Sequence, residues 1–230
     1  MGMEASFARV TSTELQKFLK KPELAYDNLL PDMCVILPTG LGNIEGIEEG
    51  VERQFAELAR QLQDSPGKFP GLDIAKIKAE TKKASERMLG QLKKQKTGTQ
   101  STKFFSLQKD WHVLHYVLNG TGDAGDKPLE KCILGGRELP PPADNPVDYG
   151  PLRYLTIQEV KEIVEALKRV NPQSLIEKLN RKDAESKRVY LAHTMDDPAD
   201  WSYLPDLFTE FRKFYQETAT ARNAMMLKIV

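Results

Sequence analysis

Twice in this chain a short apolar segment runs straight into Thr-x-x-Glu and then into residues spaced by threes and fours. The first is ASFARV (5–10), followed by Thr11 and Glu14; the second is LRYL (152–155), followed by Thr156 and Glu159. In such a box the threonine hydroxyl accepts from one helix amide, and the carboxylate accepts from the threonine's own N–H. Two donors that a helix start leaves open are thereby satisfied. Each pairing predicts a strand that turns directly into a helix. Leu15, Phe18 and Leu19 give the first helix its buried stripe; Ile157, Val160, Val164, Leu167 and Val170 give the second its own. Strands that alternate with helices bury their apolar faces in an α/β fold, whose central sheet is covered on both faces.

The remaining pattern fills in this frame. Pro22 suits the first turn of a short helix through Leu24 and Leu29. After the apolar run Met33–Leu37, Ile44, Ile47, Val51, Phe55, Leu58 and Leu62 mark an acidic amphipathic helix, which DSPGKFPG (64–71) breaks. Ile74, Ile77, Ala84, Met88 and Leu92 mark a second, basic one. KTGTQSTK (96–103) reads as a polar loop and NGTGDAGDKP (119–128) as an exposed turn. EKCIL (130–134) reads as a strand ending on Gly135-Gly136, and PPPADNPVDYGP (140–151) as a connector too proline-rich for a ladder. Asn171-Pro172 caps a short helix to Leu179, a long aromatic helix spans about 204–218, and AMMLKIV (224–230) is a last strand. Residues 1–230 read as one α/β domain, with 40–103 as a helical elaboration within it.

Charge removes whole classes of function. Lys+Arg and Asp+Glu are 33 each, so no net field draws the molecule to nucleic acid or anionic lipid. The basic helix 76–96 lacks the interleaved aromatics of a single-strand binder, and the acidic helix 44–63 beside it offers internal pairing. The longest apolar run is far short of the roughly 20 residues that span a bilayer. MGMEASFARV lacks the basic, apolar and small-residue succession of a secretory signal. Cys34 and Cys132, the two cysteines, fit buried thiols of a reducing compartment. The expectation is a soluble cytoplasmic protein, with neither membrane nor nucleic acid as partner. Gly40, Gly42 and Gly46 have the wrong spacing for a dinucleotide loop, and Glu45, Glu48 and Glu49 would repel a pyrophosphate there. Gly135-Gly136-Arg137 reads as a turn rather than an anion nest.

Chemistry-bearing residues concentrate in SLQKDWHVLHYVLNG (106–120), which holds two of the three histidines. Read as one helix, it gathers Leu107, Trp111, Leu114 and Leu118 on one side, extended by Val113 and Val117. His112, His115, Tyr116 and Asn119 form its polar sector. Histidines at i and i+3 can converge on a metal, but a site needs further ligands. His193, Asp196 and Asp197 are the distant group with suitable chemistry, and no spacing ties them to the helix. No metal and no cofactor are therefore expected. Ser106, Asp110 and His112 lie on too short a stretch for a nucleophilic relay.

The order and character of SLQKDWHVLHYVLNG, ILGG and YGPLRYLTIQEV resemble those of the YfbM-like family of bacterial proteins of unknown function. GMEASFARVTSTEL and FRKFYQETATARNAMMLKIV are similar to that family's terminal segments. The resemblance covers residues 1–37 and about 104–230, and its most specific parts are Asp110-Trp111-His112-x-x-His115 and Tyr149-Gly150-Pro151-x-Arg153. It implies a three-layer α/β/α sandwich with a central mixed sheet, in the bacterial cytoplasm, and it supplies no reaction. It also groups Asp110, Trp111, His112, His115, Tyr149 and Arg153 into one candidate binding cleft: an imidazole pair, an aromatic wall and a guanidinium suited to an anion. Each has a plain structural role beside this one: Trp111 as core, Tyr149-Gly150-Pro151 as a turn, Arg153 as a partner of Asp110.

Two functions follow as expectations. The first is a non-enzymatic binding or protein-interaction module, of the kind in which a small immunity-type protein neutralises a partner. Its contact surface would be the charged 44–96 helices or the His112/Arg153 cleft. The alternative is an enzyme acting on a small anionic substrate, with a histidine general base and Arg153 as anion clamp.

Overall fold

The structure, a computed structural model, describes residues 3–29, 33, 103–142 and 150–229. By its contacts the chain divides into one unit of Met1–Leu37 with Lys103–Val230 and another of Pro38–Thr102. The second unit lies outside the described residues. So do Cys34, Tyr149 and both charged helices expected between 44 and 96.

In the first unit, β1 (Ala5–Val10) leads into α1 (Ser12–Lys20) and α2 (Glu23–Asn28); then come β2 (Phe104–Gln108), α3 (Trp111–Asn119) and α4 (Pro128–Leu134). Next follow β3 (Arg137–Glu138), β4 (Arg153–Leu155), α5 (Ile157–Lys168), α6 (Arg181–Ser186), α7 (Leu204–Thr220) and β5 (Ala224–Ile229). Both capping boxes form. Glu14 N–H donates to Thr11 Oγ1 at 3.1 Å and Thr11 N–H to Glu14 Oε2 at 2.8 Å. The corresponding distances at Thr156 and Glu159 are 3.3 and 2.9 Å. Leu15, Phe18, Val160, Val164 and Leu167 of the expected stripes are buried, Ile157 and Val170 are partly buried, and Leu19 at the end of α1 is 38% exposed.

Among the described residues five strands form one sheet in the order β2-β1-β5-β4-β3, and every neighbouring pair is antiparallel. The mixed sheet implied by resemblance is thus corrected among the described residues. A parallel neighbour needs a single crossover helix. Here α5, α6 and α7 lie between β4 and β5, and the chain re-enters the sheet at the end where β4 leaves it, with Leu155 opposite Met225.

Strand alternation assigns each residue its face. Phe7, Phe105, Leu107, Leu155, Met225 and Leu227 join Trp111, Ile163, Phe208, Phe211 and Tyr215 in one core. Ala8, Val10, Ala224 and Met226 belong to another, with Leu15, Phe18, Tyr26 and Leu139. The first core is aromatic at its centre: Phe7 meets Phe211 edge-on at 5.4 Å, and Phe211 meets Tyr215 at 5.0 Å. Such pairs add to plain area burial. In the second core the Tyr26 hydroxyl donates to Leu139 O at 2.7 Å and accepts from Leu152 N–H at 3.1 Å, tying α2 to the chain on either side of the proline connector.

Two further expectations are corrected. Ser106–Gln108, read as the start of the helix, belongs to strand β2 with Phe104 and Phe105, paired with β1. Gln108 ends it with φ +50°, its N–H donating to Ser106 Oγ. EKCIL, read as a strand, belongs to α4. Pro128 occupies that helix's first turn, Lys127 N–H donates to Glu130 at 3.1 Å, and Gly135 closes the end. An apolar triplet such as Cys-Ile-Leu is too short to show its period, so the flanking caps decide. Cys132 is a buried free thiol whose pKa burial raises.

Candidate functional site

Helix α3 starts one turn after β2 and ends at Gly120, whose φ of +71° suits a residue without a Cβ. Only His112 and Asn119 keep partial exposure on it; the other residues are buried. Trp111 is core, as its structural role required, and its indole N–H donates to Met3 O at 3.1 Å. Its ring stacks on that of His112, with centroids 4.5 Å apart and planes 2° from parallel, and the Tyr190 ring stacks at 6.2 Å.

Both His112 nitrogens are engaged. Nε2 lies 2.8 Å from Gly122 O, and Nδ1 accepts from Tyr190 N–H at 2.9 Å. A carbonyl can only accept and an amide N–H can only donate, so this ring is neutral with its proton on Nε2. His115, fully buried, donates from Nε2 to Asp123 O at 2.9 Å. Asn119 Nδ2 lies 3.4 Å from its Nδ1 and donates to His115 O and Leu129 O. Burial holds the pKa of each imidazole below the usual range. The carbonyl bonds and the Asp123 charge pull the other way at both; Glu130 also raises that of His115, while a His112 charge would lower it further.

The turn after α3 is clamped in place. A Cβ on Gly122 would sit 2.6 Å from Lys187 O and 3.1 Å from His112 Nε2. Behind it, Tyr116 donates to Asp183 Oδ2 at 2.7 Å, and Lys187 Nζ lies 2.6 Å from the same carboxylate. Burial and that carboxylate push the Tyr116 phenol up to about 12. Asp110 bonds the Tyr203 hydroxyl, and burial raises its carboxyl pKa.

Arg153 bonds neither histidine. It donates to Leu134 O and, at 3.1 Å, to Glu138 Oε1; the pairing with Asp110 does not form among the described residues. Beside it lies a cavity of about 230 Å³ lined by Ala124, Leu134, Gly150, Pro151, Arg153 and Lys228, among others, with neither histidine in its wall. Lys228 Nζ donates to Gly150 O there. The structure therefore brings Trp111, His112 and His115 together, keeps Asp110 on Tyr203, and sets Arg153 at the end of β4. Tyr149 lies outside the described residues. His193 is exposed and Asp196 pairs with Arg181. Among the described residues no three His, Cys, Asp or Glu side chains gather as metal ligands.

Sequence reasoning missed Tyr190, Asp183 and Tyr203, which meet α3 from far along the chain and carry no local signature. Gly122 was visible only as one of several turn glycines.

A family model described as a domain of unknown function, DUF1877, matches residues 1–228. The chain belongs to the DUF1877 family. Among solved structures, this DUF1877 chain is similar to "a Protein of Unknown Function YfbM from Escherichia coli". Identity is 16%, 99% of each chain is covered, and the TM-score is 0.50. At that identity the likeness concerns the fold alone. No curated protein matches the chain.

Proposed function

We propose that this DUF1877 protein is a non-enzymatic binding module whose partner is another protein. The observation that carries this reading is the hydrogen bonding of His112, each of whose ring nitrogens already has a backbone partner, with buried His115 anchored beside it. A general base needs a free nitrogen within reach of substrate. These rings instead fasten the 120–126 turn and the 187–191 segment to a rigid helix, an arrangement suited to presenting loops for recognition. The contact surface is these two loops, or the charged 44–96 helices, and the His112 side of the candidate cleft serves as their scaffold.

The finer architecture belongs to the same proposal. Two cores on opposite sheet faces support a three-layer α/β/α arrangement, with 40–103 as a helical elaboration of one domain. A reducing, cytoplasmic home in a bacterium belongs to the same reading, and the free thiol of Cys132 fits a reducing compartment. Neither nucleic acid nor membrane is the partner, in keeping with the balanced charge.

The test is recovery of a stoichiometric partner from native lysate with the wild-type protein, repeated with Asp123→Lys and Arg188→Glu, one exposed charge in each loop. A partner lost from the charge-reversed proteins supports the loops as contacts. A partner that ignores them moves the contact to 44–96, and no partner at all counts against the reading.

A second reading, an enzyme for a small anion, is favoured by the cavity beside Arg153 and Lys228. Side-chain NMR shifts of both Arg153 and His112 on adding acetate or phosphate would support it; a silent His112 would remove the histidine base.

A further inference from the structure

We propose that His112 is an acid-sensitive latch: taking up a proton at Nδ1 turns an acceptor into a donor facing the Tyr190 N–H, and the 187–191 segment is released from α3. This goes beyond the binding reading and stands without it.

Three observations converge on the latch. The first is that His112 has no second neutral arrangement. Moving its proton from Nε2 to Nδ1 would set donor against donor at Tyr190 and acceptor against acceptor at Gly122 O. The second is backbone tension in the latched segment. Arg188 and Leu191 carry φ values of +54° and +65°, left-handed conformations disfavoured for side chains with a Cβ, and they bracket Tyr190. The third is that most of the segment's other hydrogen bonds are local and do not reach α3. These are Lys187 N–H to Asp183 O at 3.1 Å, Arg188 N–H to Glu185 O at 3.0 Å, Val189 N–H to Ala184 O at 3.0 Å, Ala192 N–H to Val189 O at 3.1 Å and Thr194 N–H to Leu191 O at 2.9 Å. Toward α3 it keeps the Tyr190–Trp111 stacking and the Lys187 ammonium 5.6 Å over the Tyr116 ring, with buried Val189 as its anchor in the core.

The charged surroundings do not cancel the effect. From α3, His115 faces His112, and a charge on either disfavours a charge on the other. From the turn, Asp123 favours the charged form of both rings; from α4, Glu130 favours that of His115. On the latched segment the Lys187 ammonium is committed to Asp183 at 2.6 Å and lies over the Tyr116 ring. Burial outweighs the attractive charges, so the latch stays closed at neutral pH and opens in mild acid, as a histidine switch does.

The experiment is amide hydrogen exchange followed by NMR on the full chain at pH 7.5 and pH 5, corrected for the intrinsic rate. Tyr190 protection is expected to fall about tenfold or more in acid, while Leu227 in the central sheet is unchanged. His112→Gln, which can donate and accept without titrating, removes the pH dependence at Tyr190. Nitrogen shifts of the wild-type imidazole supply a reading that needs no variant. Nδ1 is unprotonated at neutral pH and gains its proton over the range in which the Tyr190 amide moves. Tyr190 protection that stays constant, falls together with Leu227, or falls equally in His112→Gln overturns the latch.

Discussion

At the scale of single residues, partners three positions apart were legible and partners far along the chain were not. Thr11 and Thr156 declare themselves because the accepting and donating groups share one turn of helix. His112 does not declare Tyr190, 78 positions away, nor Tyr116 its Asp183, 67 positions away. The DWHxxH segment marked the right place in the sequence, yet its role depends on backbone atoms that any residue supplies. Gly122→Ala forces a methyl against Lys187 O and His112, and is expected to lower stability by about 1–3 kcal/mol in urea titration. Tyr26→Phe leaves the Leu152 amide without its acceptor and is expected to cost about 1–3 kcal/mol. The Tyr116 phenol, pushed up to about 12 by burial and by Asp183, should titrate at lower pH in Asp183→Asn. An ultraviolet titration then shows one tyrosine moving down while Tyr203 and Tyr215, also raised, stay where they were.

At the scale of elements, type was readable wherever a cap or a long period existed. It was lost where an apolar run is short. The helices α1, α5 and α7 and the strands β1, β4 and β5 stand where the pattern placed them. Ser106–Gln108, read as helix, and Glu130–Leu134, read as strand, changed type because short apolar stretches satisfy both periods; the break at Gln108 and the start at Pro128 decide between them. Thr156→Ala should cost about 1 kcal/mol through loss of the helix cap. Phe211→Ala should cost about 3–5 kcal/mol, because its ring fills the contact between β1 and α7. The gap between those two values, measured in one urea series, tests whether the aromatic core outweighs the capping that made the fold legible.

At the scale of the whole molecule, acid sensitivity follows from the histidines. Their folded pKa values lie below that of the unfolded chain, about 6.5. Below that pH the unfolded state binds more protons, so stability falls as pH drops through the window and is regained as pH rises. Glu14 and Glu159, whose pKa values are lowered in the fold by a net effect of hydrogen bonds and nearby cations acting against burial, lose their contribution only in stronger acid. Asp110, raised by burial, contributes a slope of the opposite sign. Urea midpoints at pH 7.5 and 5.5 should therefore differ in the wild type, and less so in His112→Gln.

The strand order adds a constraint on how the protein is made. β5 is hydrogen-bonded to β1 on one side and to β4 on the other, with Ala5 opposite Ile229. Every other strand of the sheet leaves the ribosome before it, so β1 and β4 emerge with open edges that only a later segment can close. Long-range pairing of this kind slows folding, and open edges invite association with other chains. Nascent chains stalled before Ala224 should be protease-sensitive and chaperone-bound, and should become resistant once the 224–229 segment clears the exit tunnel. Among the described strands, the middle of the sheet is the last to be made.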